Sequence, residues 1–313
     1  MVSIYRTDDC ILHELQEILD GAWINMVNPT LEESQDVAEY FDIDMDDLRA
    51  ALDEEESSRI DLEDGYTLIL VDIPAPEIRH ESKMYTTIPL GIILTQSNLI
   101  TVCSEETSIL QIFVQRKVRE FSTKKKMRFV YQILFRTAAL YQNNLRIIDK
   151  KRTEIEERVG EKTEEKDLVD LHELESTLVY FATSLRANNV VLERLSRYKR
   201  LEQYPEDKEL LGDVIIENQQ AIEMTGIYRD IINGTRELMS SVINNRLNNL
   251  MKLLTSITIV MSIPTIISGF YGMNVNEEGM PLATITQGFG LICLITLGVC
   301  IAVLFLMKKK KML

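Results

Sequence analysis

Small and hydroxyl-bearing residues recur along one face of a predicted helix near the C-terminal end of the sequence. They follow at alternating steps of three and four, the spacing of neighbours on one side of an α-helix: Thr255, Thr258, Ser262, Thr265, Gly269 and Gly272. No charged residue occurs at 253–276. Hydroxyl oxygens without a counter-ion suit a water-lined path, but small residues also let membrane helices pack closely. This segment alone leaves both interpretations open.

The same spacing continues towards the N-terminus through mostly hydrophilic or small residues. It passes Met251, Asn248, Asn244, Ser241, Glu237, Gly234, Asp230, Ile227, Glu223 and Gln220. Another face carries the residues expected to form the packing seam, namely Leu210, Val214, Ala221, Met224, Tyr228, Ile231, Leu238 and Val242. Helix packing outside a membrane would favour Leu and Ile on this face. Its polar character therefore favours a water-lined path over close helix packing.

Two apolar segments must position these residues. Residues 253–276 and 279–307 lack charge, and a spanning helix needs about 20 mostly apolar residues. Four lysines at 308–311 follow the second segment, Arg246 and Lys252 precede the first, and the loop between them has no Lys or Arg. Since Lys and Arg favour the cytoplasmic side, we expect a cell-membrane protein with both termini in the cytosol. Two spans cannot enclose a pore, so several copies must surround an axis.

Composition excludes several classes of function. The chain has 49 acidic and 34 basic residues and a net charge of −15, which argues against a nucleic-acid partner. Three histidines, His13, His80 and His172, are not spaced as a metal pair, and no glycine-rich phosphate loop is present. We therefore expect neither an enzyme nor an ATP-driven pump, and no organic cofactor.

The N-terminal residues 1–125 are predicted to form an α/β domain. Strand-like apolar runs bounded by turn residues lie at 67–74, 87–95 and 99–103. The last two runs should form a hairpin. Thr30 followed by Glu33 predicts a capped helix at 31–41, and a second, acidic helix is expected at 44–56.

Beyond this domain the periodicity is helical. Helices are expected at 127–159, 164–204 and 206–271, with Gly160 and Pro205 at the breaks. The expected organisation is a cytosolic helical hairpin at 126–205, a stalk helix continuous with the first membrane span at 206–273, an extracellular loop at 274–285, a second span at 286–307 and a basic tail at 308–313. The stalk helix would be about 100 Å long.

The first span ends with Tyr271, Gly272, Met273 and Asn274, and a short loop containing Met280 and Pro281, a second span and a lysine tail follow. In this arrangement the chain resembles the CorA magnesium-transporter superfamily, whose signature is a Gly-Met-Asn triplet at that place. The resemblance extends to the N-terminal α/β domain and the long helices. It implies a funnel-shaped homopentamer in the lipid bilayer that forms a channel for Mg²⁺, with the triplet as selectivity filter.

The resemblance also implies the residues along the pore. It places Asn248, Met251, Leu254, Thr258, Ser262, Thr265 and Gly269 there. The polar face adds Asn244 and prefers Thr255 to Leu254, an ambiguity of one residue. Family members often have a bulky apolar residue where Ser262 lies, so an apolar gate would rest on Met251 and Leu254.

The chemistry of the mouth fits a hydrated ion. Mg²⁺ prefers oxygen ligands and gives up its water reluctantly. A ring of Asn274 carbonyl oxygens could accept hydrogen bonds from the bound waters, and its weak binding would allow release. Glu277 and Glu278 would raise the local cation concentration, or simply form a solvated loop.

The resemblance further implies regulation by cytosolic Mg²⁺ bridging acids of neighbouring subunits. Asp213 matches the stalk acid, but Ala50 occupies the expected position of its partner. Asp46, Asp47 or Asp53, about one turn away, could replace it. The alternative is a solvated acidic surface, since residues 31–64 contain fifteen Asp or Glu.

Two other functions remain open. One is transport of Co²⁺, Ni²⁺ or Zn²⁺, although softer metals favour His and Cys and the expected pore has neither. The other is a membrane-anchored scaffold or signalling protein, which would leave the polar face and the triplet unexplained.

Overall fold

The computed structural model describes residues 1–8, 11–79, 82–118, 120–159, 165–198, 205–273, 280–282 and 287–310. The chain divides into two compact units, Met1–Arg236 and Glu237–Leu313. The boundary lies within one long helix, so each unit is described separately.

The first unit contains a seven-stranded sheet with the order β2-β1-β3-β7-β6-β5-β4. Its strands are β1 (Val2–Asp8), β2 (Ile11–Leu15), β3 (Trp23–Val27), β4 (Arg59–Leu62), β5 (Thr67–Arg79), β6 (Ser82–Leu94) and β7 (Leu99–Cys103). Strands β3 and β7 are parallel, and the other neighbours are antiparallel. The predicted hairpin at 87–103 is confirmed as β6 and β7.

Helices cover both faces of this sheet. They are α1 (Leu31–Phe41), α2 (Met45–Arg49), α3 (Ser108–Val114), α4 (Lys126–Val159), α5 (Glu165–Arg197) and the first part of α6 (Pro205–Tyr271). Because side chains alternate along a strand, β3 directs Trp23 into the core with α3 to α6 and Ile24 into the core with α1 and α2.

The capping box of α1 is confirmed. Thr30 Oγ1 accepts from the Glu33 amide, and Glu33 Oε2 accepts from the Thr30 amide at 2.9 Å. The helix expected at 44–56 is shorter than predicted, because α2 gives way to a 3₁₀ helix at Ala50–Leu52. The Asp53 carboxylate then accepts from the Glu55 amide, a local turn bond that competes with helix.

Buried polar contacts fix α6 against α4 and α5 in the first unit. Gln142 Nε2 donates to Glu217 O at 3.0 Å, and Asn218 Nδ2 donates to Leu185 O at 3.1 Å. The predicted packing seam is partly wrong: Val214 and Ala221 are buried, but Ile231 and Leu238 are exposed. The polar residues Asn218, Thr225 and Thr235 are buried in this helix instead. Burial is tolerated because each side chain donates a hydrogen bond to a backbone carbonyl oxygen.

The second unit contains the rest of α6 and the helix α7 (Gly288–Lys309). Both helices are long and apolar enough to cross a membrane, and only 6% of the most apolar 18-residue stretch of each is buried within the chain, unlike a soluble core helix. An α/β domain, long helices and two C-terminal apolar helices confirm the predicted fold class.

Candidate functional site

Helix α7 packs on one face of the apolar part of α6. Residues of lower exposure on this face follow at steps of three and four, namely Ser256, Val260, Ile263, Ile267 and Tyr271, and Ser262 is the one other residue of lower exposure between Ser256 and Tyr271. Cys300 Sγ of α7 lies 3.8 Å from Val260 O. Thr258, Ser262, Thr265 and Gly269 each come two residues after a member of this face, which is about 200° around a helix. These four residues of the polar face therefore point away from α7, whereas Thr255 lies only about 100° around the helix from Ser256.

The hydroxyl groups on the polar face share one hydrogen-bonding arrangement. Each donates to the carbonyl oxygen four residues earlier: Thr255 to Met251 at 2.8 Å, Thr258 to Leu254 at 2.9 Å, Ser262 to Thr258 at 2.7 Å and Thr265 to Met261 at 3.0 Å. A hydroxyl has one proton and two lone pairs. With the proton used inside the helix, each oxygen presents only acceptor capacity to a solute.

Most predicted lining residues are exposed in the single chain. These are Asn244, Asn248, Met251, Leu254, Thr255, Thr258, Thr265 and Gly269, while Ser262 is partly buried. Leu254 and Thr255 are both exposed, so the one-residue ambiguity persists. The ten residues that continue this face from Met251 down to Gln220 are also exposed.

Helix α6 ends at the predicted triplet. The Gly272 amide donates to Ser268 O at 2.9 Å, and a Cβ at this position would lie 3.3 Å from that oxygen. The neighbouring Tyr271 hydroxyl donates to Pro281 O at 2.6 Å. Met273 is exposed, and Asn274, Glu277 and Glu278 lie outside the described residues.

The acids expected to bind regulatory metal differ in their surroundings. Asp213, Asp46 and Asp53 are exposed, while Ala50 is buried in the core beneath α1 and α2. Asp47 accepts from the Tyr66 hydroxyl at 2.7 Å.

The bond to Asp47 fixes Tyr66 in the α/β domain. Burial first, and then this bond, raise the pKa of Tyr66 to about 12. Asp47 also lies 3.9 Å from the Arg59 guanidinium. It is thus the candidate most occupied by structural contacts. Within the described part of one chain, no three His, Cys, Asp or Glu residues are grouped to hold a metal ion.

Sequence periodicity identified the polar face, but not the Tyr271 contact at the end of α6 or the Asp47 contact in the α/β domain. The Tyr271 bond to Pro281 crosses ten positions with no repeating pattern. The contact of Asp47 in α2 with Tyr66, just before β5, spans 19 positions. No local signal in the sequence points to either pair.

Comparison with known proteins places this geometry in a family. The family model described as CorA-like Mg²⁺ transporter protein matches residues 20–309. The cobalt/magnesium transport protein CorA of Methanocaldococcus jannaschii is 29% identical over 279 residues, covering 86% of this chain and 84% of that protein. The protein of the same name from Thermotoga maritima is 25% identical over 297 residues, covering 93% and 83%.

Solved structures agree over nearly the whole chain. The complete structure of the CorA magnesium transporter from Methanocaldococcus jannaschii has a TM-score of 0.83 at 26% identity, covering 98% of this chain and 97% of that one. Full-length CmaX shares the fold, with a TM-score of 0.72 at 17% identity and coverage of 98% and 96%. The chain belongs to the CorA-like Mg²⁺ transporter family.

Proposed function

We propose that this protein is a channel that conducts Mg²⁺ across the cell membrane as a homopentamer, with both termini in the cytosol. The observation that carries the proposal is the row of hydroxyl oxygens of Thr258, Ser262 and Thr265 on α6, directed away from α7 with their protons already bonded to carbonyl oxygens. Five such faces around an axis would form a path lined by acceptors.

Acceptors are what a hydrated cation needs. Mg²⁺ retains several waters, whose hydrogens point outward and require acceptors on the wall. The wall has no charged residue between Leu253 and Met273, so it does not hold the ion tightly. Asn274 would select the hydrated ion at the outer mouth, with Gly272 and Met273 shaping the ring and Glu277 and Glu278 attracting cations. Helix α7 would be the outer wall facing the lipid.

Regulation follows the same chemistry. We propose that cytosolic Mg²⁺ holds the channel closed by bridging Asp213 to an acid of a neighbouring copy. Asp46 is the best candidate in place of Ala50. Its carboxylate is exposed and has no hydrogen bond or ion pair within the described part of the chain. Asp53 is the second candidate, and Asp47 the weakest.

Co²⁺ is the main alternative substrate, because the two relatives are named cobalt/magnesium transport proteins. Ni²⁺ and Zn²⁺ fit less well, since His and Cys are absent from the candidate lining. The purified protein in liposomes should admit Mg²⁺ down its gradient without ATP, measured with an internal Mg²⁺-sensitive dye. Competition by Co²⁺, Ni²⁺ and Zn²⁺ in the same assay ranks the substrates. Flux no greater than in empty liposomes would contradict the proposal.

A further inference from the structure

A cavity of about 320 Å³ lies between three segments of the first unit. The volume is at the lower end of the range for small-molecule sites. The cavity is lined by Lys117 and Val118, which follow α3, by Gln132, Phe135 and Arg136 of α4, and by Leu210 of α6. The proposed conduction path uses none of these residues, so transport gives the cavity no role.

The floor of this cavity is apolar. Val118, Phe135 and Leu210 are partly buried, and they pack against the core that α3 to α6 form with the sheet. Their remaining surface contributes to the wall of the cavity. Removing apolar surface from water is favourable in proportion to its area. A ligand that covers this floor therefore needs an apolar body.

Two cations stand beside the apolar floor. Lys117 and Arg136 are exposed, and neither side chain forms an ion pair or a hydrogen bond with any residue that the structure describes. No acid lines the cavity. Glu209 and Asp213, the acids closest to Leu210 along α6, make no ion pair with either cation. An exposed cation alone is often only solvated, but two cations around an apolar floor match an anion with an apolar body.

Gln132 adds an uncharged polar group to the same wall. Its side chain makes no hydrogen bond within the described part of the chain, and its Oε1 atom is buried without a partner. Buried polar groups without a partner are uncommon in folded proteins. The amide group of Gln132 is thus not used by the packing of α4, and its Nε2 remains able to donate to an acceptor.

We propose that this cavity binds an organic monocarboxylate with a small aromatic or branched apolar body. The Arg136 guanidinium can donate two parallel hydrogen bonds to one carboxylate, and the Lys117 ammonium adds a second positive charge. Gln132 Nε2 is a further donor, while the apolar body covers Val118, Phe135 and Leu210. An inorganic anion would leave this floor uncovered, and a cation would meet two like charges. The inference does not rest on the proposed transport function.

The test is a fluorine NMR titration of the full-length protein, in an uncharged detergent, with para-fluorobenzoate as the probe. We expect saturable binding that weakens as salt is raised. Arg136→Gln should weaken it by roughly tenfold or more, and Lys117→Gln by about fivefold, as for loss of charge-assisted hydrogen bonds. The matched control is Arg146→Gln, at another exposed arginine of α4 that does not line the cavity. It removes the same charge and should leave the affinity unchanged.

Two competitors in the same titration separate the charge from the apolar body. Benzamide keeps the ring without the charge, and inorganic phosphate keeps a charge without the ring, so each should displace the probe at least about tenfold less well than benzoate. Absence of saturable binding would overturn the proposal. Equal weakening by Arg136→Gln and Arg146→Gln would overturn it as well, because the attraction would then not be local. Displacement by either competitor as effective as that by benzoate would also contradict it.

Discussion

The Tyr271 hydroxyl donates a hydrogen bond of 2.6 Å to the carbonyl oxygen of Pro281. It joins the last residue of α6 to the segment before α7, and the residues between them include the Gly272, Met273 and Asn274 triplet. The chain at the proposed mouth is therefore held at both ends.

Tyr271→Phe removes this bond and keeps the ring. A net hydrogen bond contributes about 1 kcal/mol, so we expect Mg²⁺ flux into liposomes to change by about fivefold and discrimination between Mg²⁺ and Co²⁺ to weaken. Tyr40→Phe, at an exposed tyrosine of α1, is the control and should behave as the parent protein. Identical flux and ion discrimination in both variants would show that the mouth does not depend on the bond.

Thr258→Val tests whether the hydroxyl oxygens of the polar face contact the ion's water. The change keeps the side-chain shape and removes one acceptor from each copy. We expect conductance to fall by at least about tenfold, since unmatched polar groups of the hydrated ion are costly. Thr296→Val is the matched control. Its hydroxyl also bonds four residues back, to Ile292 O at 2.8 Å, but on the face of α7 turned towards α6. Equal losses in the two variants would refute the assignment of faces.

Asp213→Asn and Asp46→Asn test regulation by cytosolic Mg²⁺. Each removes a carboxylate from the proposed bridge, so flux should persist at internal Mg²⁺ concentrations that close the parent channel. The control Asp36→Asn changes another exposed acid of the same domain. The result that speaks against the bridge is unchanged inhibition in both test variants, read from flux against internal Mg²⁺.

Asp72 gives the α/β domain a pH-dependent stability. Burial raises the pKa of its carboxyl group, although bonds from Ser184 and Ser58 act in the opposite direction. A raised folded-state pKa means that the stabilising contribution is complete below the ordinary value of 3.8 and is lost as the pH rises through the folded-state pKa. At neutral pH the buried carboxylate therefore lowers the free energy of unfolding.

Asp72→Asn should accordingly raise the unfolding temperature at pH 7, and its advantage should shrink as the pH falls towards 3.8. The backbone of this residue stays fixed by Asn188 and Tyr141. Thermal unfolding of the full chain across this pH range is the measurement, with exposed Asp20→Asn as control. A variant less stable than the parent protein at pH 7 would mean that the carboxylate is net stabilising.

Long, regular elements of this fold can be predicted from sequence. The periodicity at 127–159 and 206–271 corresponds to α4 and α6 within one residue at each end. Short strands are harder, and β1, β2, β3 and β4 were not predicted. Strand β5 continues through Pro74 and Pro76, which would normally end a strand. Both prolines lie beyond the part of β5 that pairs with β4. Their lack of an amide proton therefore costs no hydrogen bond to β4.

The candidate site was likewise predictable from the sequence only in part. The orientation of Thr258 and Thr265 away from α7 follows from helical spacing. The packing seam was harder to assign because buried Thr225 and Thr235 are satisfied by their own helix. Apolar Ile231 and Leu238 stay exposed in the single chain. Hydrophobicity alone therefore does not predict which residues of this helix are buried.

The most direct test of the central claim is Mg²⁺ influx into liposomes containing the Asn274→Ala variant, with Asn276→Ala as the matched control in the same loop. The substitution removes the Asn274 side-chain amides that would surround the mouth, which should abolish selective binding of the hydrated ion. Mg²⁺ influx should therefore fall by at least about tenfold, while the control variant retains it. Unchanged Mg²⁺ influx in Asn274→Ala would contradict the account of a channel selecting its ion at this mouth.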